Sequence, residues 1–211
     1  MAYRASLSQP ERLDILGPEG AVTRGADQEW YPDRWQRLAG CGPTSASVIF
    51  AYVSRTHPEL SPLCREDVTG REAFTALMGR VWEYVTPVFH GLNKPELMVE
   101  GMAAYARSVG VELSPALFPV PAARTKRPPY EQAAAFVAAS LERDCPVAFL
   151  NLHNGLEKRL DWWHWVTIVA LDGDNVSILD SGEELEINLR LWYETSKKRG
   201  GLVAALGVDG C

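Results

Sequence analysis

The hydrophobic pattern of this chain changes its period near Pro146, and that change restricts the folds it can adopt. Before Pro146, apolar residues recur at helical spacing. After it, short apolar or alternating runs are separated by turn residues. Helices followed by antiparallel strands are typical of an α+β fold. A chain of 211 residues is long enough to bury one substantial core.

The first predicted helix begins after Gly40 and ends near Thr56. Pro43 suits its first turn, where the missing N–H is not needed. Every position from Ala46 to Val53 except Ser47 is apolar or aromatic, so this helix should be buried. Further helices are predicted over 70–85, 94–108, 130–142 and, shorter, 190–197.

The second half of the chain predicts a sheet. Asp172-Gly173-Asp174-Asn175 is a turn that joins two apolar runs into a hairpin. Strands are expected at 111–118, 146–152, 165–171, 176–179, 184–189 and 201–207, with a loop over 119–129. Residues 1–34 are rich in glycine and proline and predict an irregular arm that lies on a domain of residues 35–211.

Charge and cysteine spacing exclude several classes of protein. The net charge of −6 and the lack of a Lys/Arg stripe disfavour nucleic acid and anionic membranes as partners. Met1 to Leu16 has no signal-peptide core, and no run approaches the ~18 apolar residues of a membrane span. We therefore expect a cytoplasmic protein with no membrane partner. The sequence indicates no oligomeric state.

The four cysteines are widely spaced without a CxxC pair, which disfavours a disulfide framework or zinc site. We expect Cys145 to be structural, and Cys64 and Cys211 to have no chemical role. His153 and Asp161 alone are too few for a metal site. We therefore expect no metal and no cofactor.

Cys41 is the candidate nucleophile, because it stands between two glycines at the predicted start of the buried helix. A helix N-terminus carries partial positive charge and unpaired N–H groups, and both favour a thiolate. Gly42 would let a substrate carbonyl approach the backbone, where the N–H of Cys41 could donate to an oxyanion. Gln36, five residues earlier, is the candidate for a second donor. The alternative is a small buried thiol without chemistry.

His164 is the candidate general base. It stands at the head of the apolar strand 165–171, whereas His57, His90 and His153 fall in loops. A strand start holds a side chain rigidly, as a base requires. The hairpin should bring Asp180 opposite His164, where a carboxylate would fix the tautomer of the imidazole.

These residues form two blocks that resemble one family. Gln36-x4-Cys41-Gly42-Pro43-Thr44-x-Ala46 resembles the nucleophile motif of papain-like peptidases of the bacteriocin-processing, double-glycine type. His164-Trp165-Val-x-Ile-Val, followed sixteen residues later by Asp180, resembles that group's His and Asp strands. One departure is Trp163, which stands where the family often has glycine. The chain shows no resemblance to the transporter fused to the bacteriocin-processing members, so leader cleavage is not implied.

The resemblance, over roughly residues 30–190, implies a papain-like fold. A helical part that carries a buried nucleophile helix would pack on a C-terminal antiparallel sheet. It also implies thiol catalysis by Cys41, a His164–Asp180 pair and Gln36 in the oxyanion hole. The expected function is a cysteine hydrolase, a peptidase or amidase, acting on a peptide or small amide substrate.

Two alternatives stay open at this point. The same triad could transfer an acyl group to an amine or thiol, or the fold could be a non-catalytic binding domain with an ordinary thiol. Trp162 or Trp163 is expected to form a wall of the substrate cleft, and Trp165 to pack in the core. The polar loop 152–161 is expected to be a mobile flap beside that cleft.

Overall fold

The computed structural model describes residues 3–89 and 91–207. His90 and Cys211, two of the residues considered above, lie outside the described residues. In chain order the helices and strands are β1 (Arg4–Ser6), β2 (Asp14–Leu16), β3 (Val22–Arg24), α1 (Arg34–Ala39), α2 (Cys41–Thr56), α3 (Arg71–Trp82), α4 (Pro95–Ser108), β4 (Ala116–Val120), α5 (Tyr130–Glu142), β5 (Val147–Asn151), β6 (His164–Asp172), β7 (Asn175–Asp180), β8 (Glu183–Asn188), α6 (Leu189–Thr195) and β9 (Gly200–Ala204).

Within the described residues, a seven-stranded sheet forms the centre of the molecule. Its order is β4-β9-β5-β6-β7-β8, and β1 pairs with the far end of β6. Every pairing in it is antiparallel. The helices α1 to α5 precede β5, most strands of the sheet follow them, and the mixed composition confirms the α+β prediction.

The helix α2, which begins at Cys41, is buried as predicted. Every residue from Gly42 to Ser54 is buried, and the helix packs against β6, α3 and α4. Full burial fits its sequence, because serine is the main polar residue there and can bond within its own helix. The Ser47 hydroxyl, for example, donates to the Pro43 carbonyl at 2.7 Å. The helix therefore holds its first turn rigidly against the sheet.

The strand predicted over 111–118 begins later than expected, as β4 runs over Ala116–Val120. Pro119 therefore lies inside a strand, although the loop was predicted to begin at that residue. β4 is an edge strand that pairs with β9 alone. An edge strand tolerates proline because one side of it needs no N–H donor.

The N-terminal arm is more regular than predicted, with β1 in the main sheet and β2 and β3 forming a separate ribbon. Its second half docks on the β7–β8 turn. The Arg24 N–H donates to the Gly182 carbonyl at 2.8 Å, and the Arg24 guanidinium lies 3.0 Å from Glu184 and 2.8 Å from Asp14. The arm thus reaches the end of the sheet at which Asp180 lies. Among the described residues, no helix combines the length and apolar character that crossing a membrane requires.

Candidate active site

Cys41 is the first residue of α2, and Gly40 separates it from the end of α1. A Cβ atom on Gly40 would collide with the Gln36 carbonyl and lie 2.7 Å from the buried ring of Tyr31. The two helices can therefore meet this closely only with glycine at the junction. This junction sets the position of the thiol.

Gly42 is explained by packing. A Cβ atom there would lie 2.8 Å from Cδ2 of Leu92 and 3.4 Å from Cδ1 of Trp165. The indole N–H of Trp165 also donates to the Leu92 carbonyl at 2.6 Å. The side of Gly42 expected to admit a substrate carbonyl is thus occupied by protein, and we correct that interpretation.

His164 begins β6, and its imidazole engages two partners. Nε2 lies 2.8 Å from Oδ1 of Asp180, and the two side chains keep only 15% and 10% of their surface exposed. Because the carboxylate occupies Nε2, Nδ1 is the nitrogen left for Cys41, which lines the same small cavity as His164 and interacts electrostatically with the imidazole. The thiol, the imidazole and the carboxylate are therefore grouped at one place.

The contact between His164 and Asp180 is diagonal, whereas a directly opposite pairing was predicted. Thr167 pairs with Leu179, so the same register sets Asp180 across from Val166, two residues from His164. β6 has nine residues and β7 has six, and a β-bulge in β6 absorbs one residue of the difference. An offset of two residues keeps both side chains on one face of the sheet.

The electrostatics favour a charged pair. Burial disfavours the imidazolium, but hydrogen bonds to Asp180 and Cys41 outweigh it and raise the pKa of His164 from 6.5 to about 10. Burial likewise disfavours the carboxylate, but the hydrogen bond and charge of His164 hold the pKa of Asp180 below its ordinary 3.8. The Ser181 hydroxyl adds a hydrogen bond to Asp180 at 3.0 Å.

A small cavity of about 20 Å³ adjoins these groups, enough for one water molecule. Cys41, His164 and Asp180 all line it, and the N-terminal arm contributes Ala26 and Gln28. The arm is therefore part of the site, although the sequence indicated only that it lies on the domain.

Gln28, and not the predicted Gln36, is the glutamine that lines this cavity. Gln36 is half-buried and lines neither this cavity nor the cleft described next. The Gln28 amide nitrogen donates to the Arg37 carbonyl at 2.9 Å, so one of its two protons remains available. Its amide oxygen is buried with no hydrogen-bond partner among the described residues. No motif marks Gln28, because the fold of the arm brings it to the site.

A second, apolar cleft of about 210 Å³ opens on another side of Cys41. Trp35 and Leu38 of α1 line it, as do Phe89, Trp163 and Trp165. Trp163 therefore forms a wall of the cleft, which was one of the two expected alternatives. Trp165 is 3% exposed and packs in the core as expected. Trp162 does not line the cleft and stacks near His153 instead, with ring centroids 4.9 Å apart.

The backbone of Trp163 is strained. Its φ of +60° lies in the left-handed region, which costs a residue other than glycine about 1–2 kcal/mol. This conformation explains why glycine suits the position before the histidine. The chain here keeps an indole despite that cost.

The loop 152–161, expected to be a mobile flap, is tethered to the elements beside it. Glu157 is 5% exposed, and its carboxylate accepts the Asn188 N–H at 2.8 Å. The Leu156 N–H donates to the Thr195 hydroxyl at 2.9 Å. These contacts join the loop to β8 and α6, and its mobility stays a prediction.

The other cysteines that the structure describes lie away from the site. Cys145 is fully buried, and burial raises the pKa of its thiol to about 11. Cys64 is also buried. No group of three or more His, Cys, Asp or Glu side chains suited to a metal ion occurs within residues 3–89 and 91–207.

Comparison with known proteins returned no match to any protein-family model, curated protein or solved structure.

Proposed function

We propose that this protein is a papain-like cysteine hydrolase that cleaves a peptide or amide bond with the thiol of Cys41. The observation that carries the proposal is the buried pair of His164 and Asp180, 2.8 Å apart, which lines one small cavity together with the thiol of Cys41. Nucleophile, base and orienting acid are the groups that thiol acyl transfer needs, connected in the order that it needs them.

The first step is transfer of the thiol proton to His164. Asp180 stabilises the resulting imidazolium, which agrees with the raised pKa of His164. The position of Cys41 at the start of α2 stabilises the thiolate through the unpaired N–H groups of the first turn. The thiolate and the imidazolium together form the ion pair that begins the proposed reaction.

The thiolate next attacks the substrate carbonyl carbon, and the carbonyl oxygen becomes an oxyanion. The backbone N–H of Cys41 lies in a helix turn that lacks internal acceptors and is one donor to this oxyanion. We assign the second donor to the free amide proton of Gln28, which lines the same cavity as Cys41 and His164. This assignment replaces Gln36.

The tetrahedral intermediate collapses when the C–N bond breaks and His164 gives its proton to the leaving amine. The acyl group stays on sulfur as a thioester. A water molecule then attacks the thioester carbonyl while His164 takes a proton from it. When the second tetrahedral intermediate collapses, the C–S bond breaks and a carboxylic acid is released. The proton stays with the Cys41–His164 pair, so the reaction needs no cofactor.

The reactivity of Cys41 tests the ion pair directly. An ordinary thiol ionises near pH ~8.5, so iodoacetamide at about pH 6 distinguishes a paired thiolate from an ordinary thiol. We expect Cys41 in the wild-type protein to react at least about 10-fold faster than in His164→Ala. His153→Ala is the matched control, because that imidazole stacks near Trp162 and should leave the rate unchanged. Equal rates in all three proteins would reject the ion pair.

A peptide library tests hydrolysis itself. Wild-type protein and Cys41→Ala are each incubated with a digest of a whole proteome, and new peptide termini are counted by mass spectrometry. New termini that appear with the wild-type protein alone support a peptidase. Identical patterns in both samples, together with an ordinary thiol, would favour the non-catalytic binding domain.

A further inference from the structure

We propose that the apolar cleft beside Cys41 binds a large aromatic or branched aliphatic side chain on the acyl side of the bond that is cleaved, with Trp163 as the residue that sets this preference. The proposal rests on the proposed function, whose site it extends to a substrate class. Two independent observations carry it, the composition of the cleft and the backbone of Trp163.

The cleft is built from apolar side chains that folding leaves partly exposed. Leu38 is 68% exposed, Phe89 is 87%, and Trp35 and Trp163 are 44% and 43%. Among the described residues that line it, none is charged. Contiguous exposed apolar surface of this kind is typical of a binding site.

The size of the cleft restricts its occupant. A cavity of about 150 Å³ holds one benzene molecule, so about 210 Å³ suits one aromatic or branched side chain. A fatty acyl chain would extend beyond it. The occupant is therefore one large residue of a peptide.

The position of the two cavities sets the side of the bond. Cys41 lines both, whereas His164 lines the small cavity and not the apolar cleft. His164 must reach the leaving amine in order to protonate it, so the leaving group lies on the side of the small cavity. The acyl group, which stays on sulfur, then extends toward the cleft.

Trp163 adds the second observation. Its left-handed backbone would be unstrained with glycine, yet the chain has its largest side chain type there. The Lys198 ammonium lies 4.6 Å from the centre of the indole ring, which holds the side chain in place beside the cleft. Strain kept at a functional site is a mark of a residue selected for its side chain.

The test compares two peptidyl electrophiles that alkylate a thiol, N-acetyl-phenylalanyl and N-acetyl-glycyl chloromethyl ketone. Each inactivation rate is divided by the iodoacetamide rate of the same protein, which corrects for thiol reactivity. We expect the wild-type protein to prefer the phenylalanyl probe by about 10- to 200-fold, as for one buried apolar side chain. The preference should fall below about 3-fold in Trp163→Gly.

Trp162→Gly is the matched control, because that neighbouring tryptophan lies outside the cleft, and it should keep the full preference. Trp35→Ala removes another side chain that lines the cleft and should lower the preference even if Trp163→Gly fails to fold. A wild-type protein without the preference, or a preference that survives in both cleft variants, would overturn the proposal. If Cys41 reacts as an ordinary thiol but the protein still prefers the phenylalanyl probe, the proposed hydrolase is rejected and the proposed binding site is supported. If Cys41 is reactive but the protein shows no preference, the proposed binding site is rejected and the hydrolase is supported.

Discussion

His164 Nε2 and Asp180 Oδ1 lie 2.8 Å apart although their residues are not cross-strand partners. The offset of two residues lets the carboxylate approach the imidazole along the sheet while both remain on one face. Because the carboxylate engages Nε2, Nδ1 is the nitrogen that remains for Cys41 in the cavity that both residues line.

The charged pair of His164 and Asp180 should make the stability of the protein depend on pH. His164 binds its proton more tightly when folded, so its contribution to the free energy of unfolding is complete below pH 6.5 and is lost as the pH rises toward about 10. The pKa of Asp180 is lowered, so its contribution is complete above pH 3.8 and is lost as the pH falls below that value. The pair therefore stabilises most between these limits.

Asp180→Asn should lower the free energy of unfolding by about 2 kcal/mol near pH ~5 and by progressively less above pH ~7. Urea unfolding at several pH values measures this difference. Asp172→Asn is the control, since its exposed ion pair with Arg4 lies at the far end of β6 and should contribute less than about 0.5 kcal/mol. A difference for Asp180→Asn that does not change with pH would contradict the charged pair.

The two glutamines give separable predictions for turnover. Gln28→Ala should lower kcat on a cleaved peptide by about 10²-fold with little change in KM, because an oxyanion donor acts on the transition state. Gln36→Ala should change kcat by less than about 3-fold. Gln28→Ala also removes the hydrogen bond to the Arg37 carbonyl, so thermal unfolding is measured in parallel. The opposite ranking of kcat values would return the role to Gln36.

The junction between α1 and α2 should not accept a side chain. Gly40→Ala inserts a Cβ against the Tyr31 ring and the Gln36 carbonyl and should cost about 2–3 kcal/mol of unfolding free energy. Gly79→Ala is the matched control, because open space surrounds that helical glycine, and alanine there should stabilise by about 0.5–1 kcal/mol. If Gly40→Ala is as stable as the wild-type protein, the close packing at this junction is wrong.

The thiols should differ sharply in accessibility. In a Cys211→Ser background, native protein at about pH 7 should take up one iodoacetamide at Cys41 and none at Cys64 or Cys145. Both of those thiols are buried, and burial raises the pKa of each. Unfolding in guanidinium should expose them, and peptide mapping before and after measures the change. Alkylation of native Cys145 at the rate of Cys41 would contradict this burial.

The strongly periodic parts of the sequence predicted the fold well. The apolar run of α2 and the alanine-rich run of α5 gave helices with the expected bounds. The glycine turn at 172–175 gave the hairpin of β6 and β7. In each case burial of one continuous apolar surface decides the structure locally, so the pattern is enough.

The site was predictable only where such elements end. His164 and Asp180 lie at the ends of two predicted strands, and the hairpin that joins these strands implied that the two residues are close. The difference in length between β6 and β7, which makes the contact diagonal, was not visible in the sequence. Gln28 was missed because three-residue strands and long-range contacts place the arm, and neither produces a periodic pattern. The strain at Trp163 depends on a backbone angle that a sequence does not display.

The arm also affects when the site can exist during synthesis. α2 and its thiol are made early, yet the imidazole, the carboxylate and the turn on which the arm docks come from strands near the end of the chain. At a ribosomal rate of about 5–20 residues per second, the thiol is made several seconds before His164. In an unfinished chain Cys41 therefore has neither His164 nor Asp180 beside it, and the three groups come together only once the last strands close the sheet.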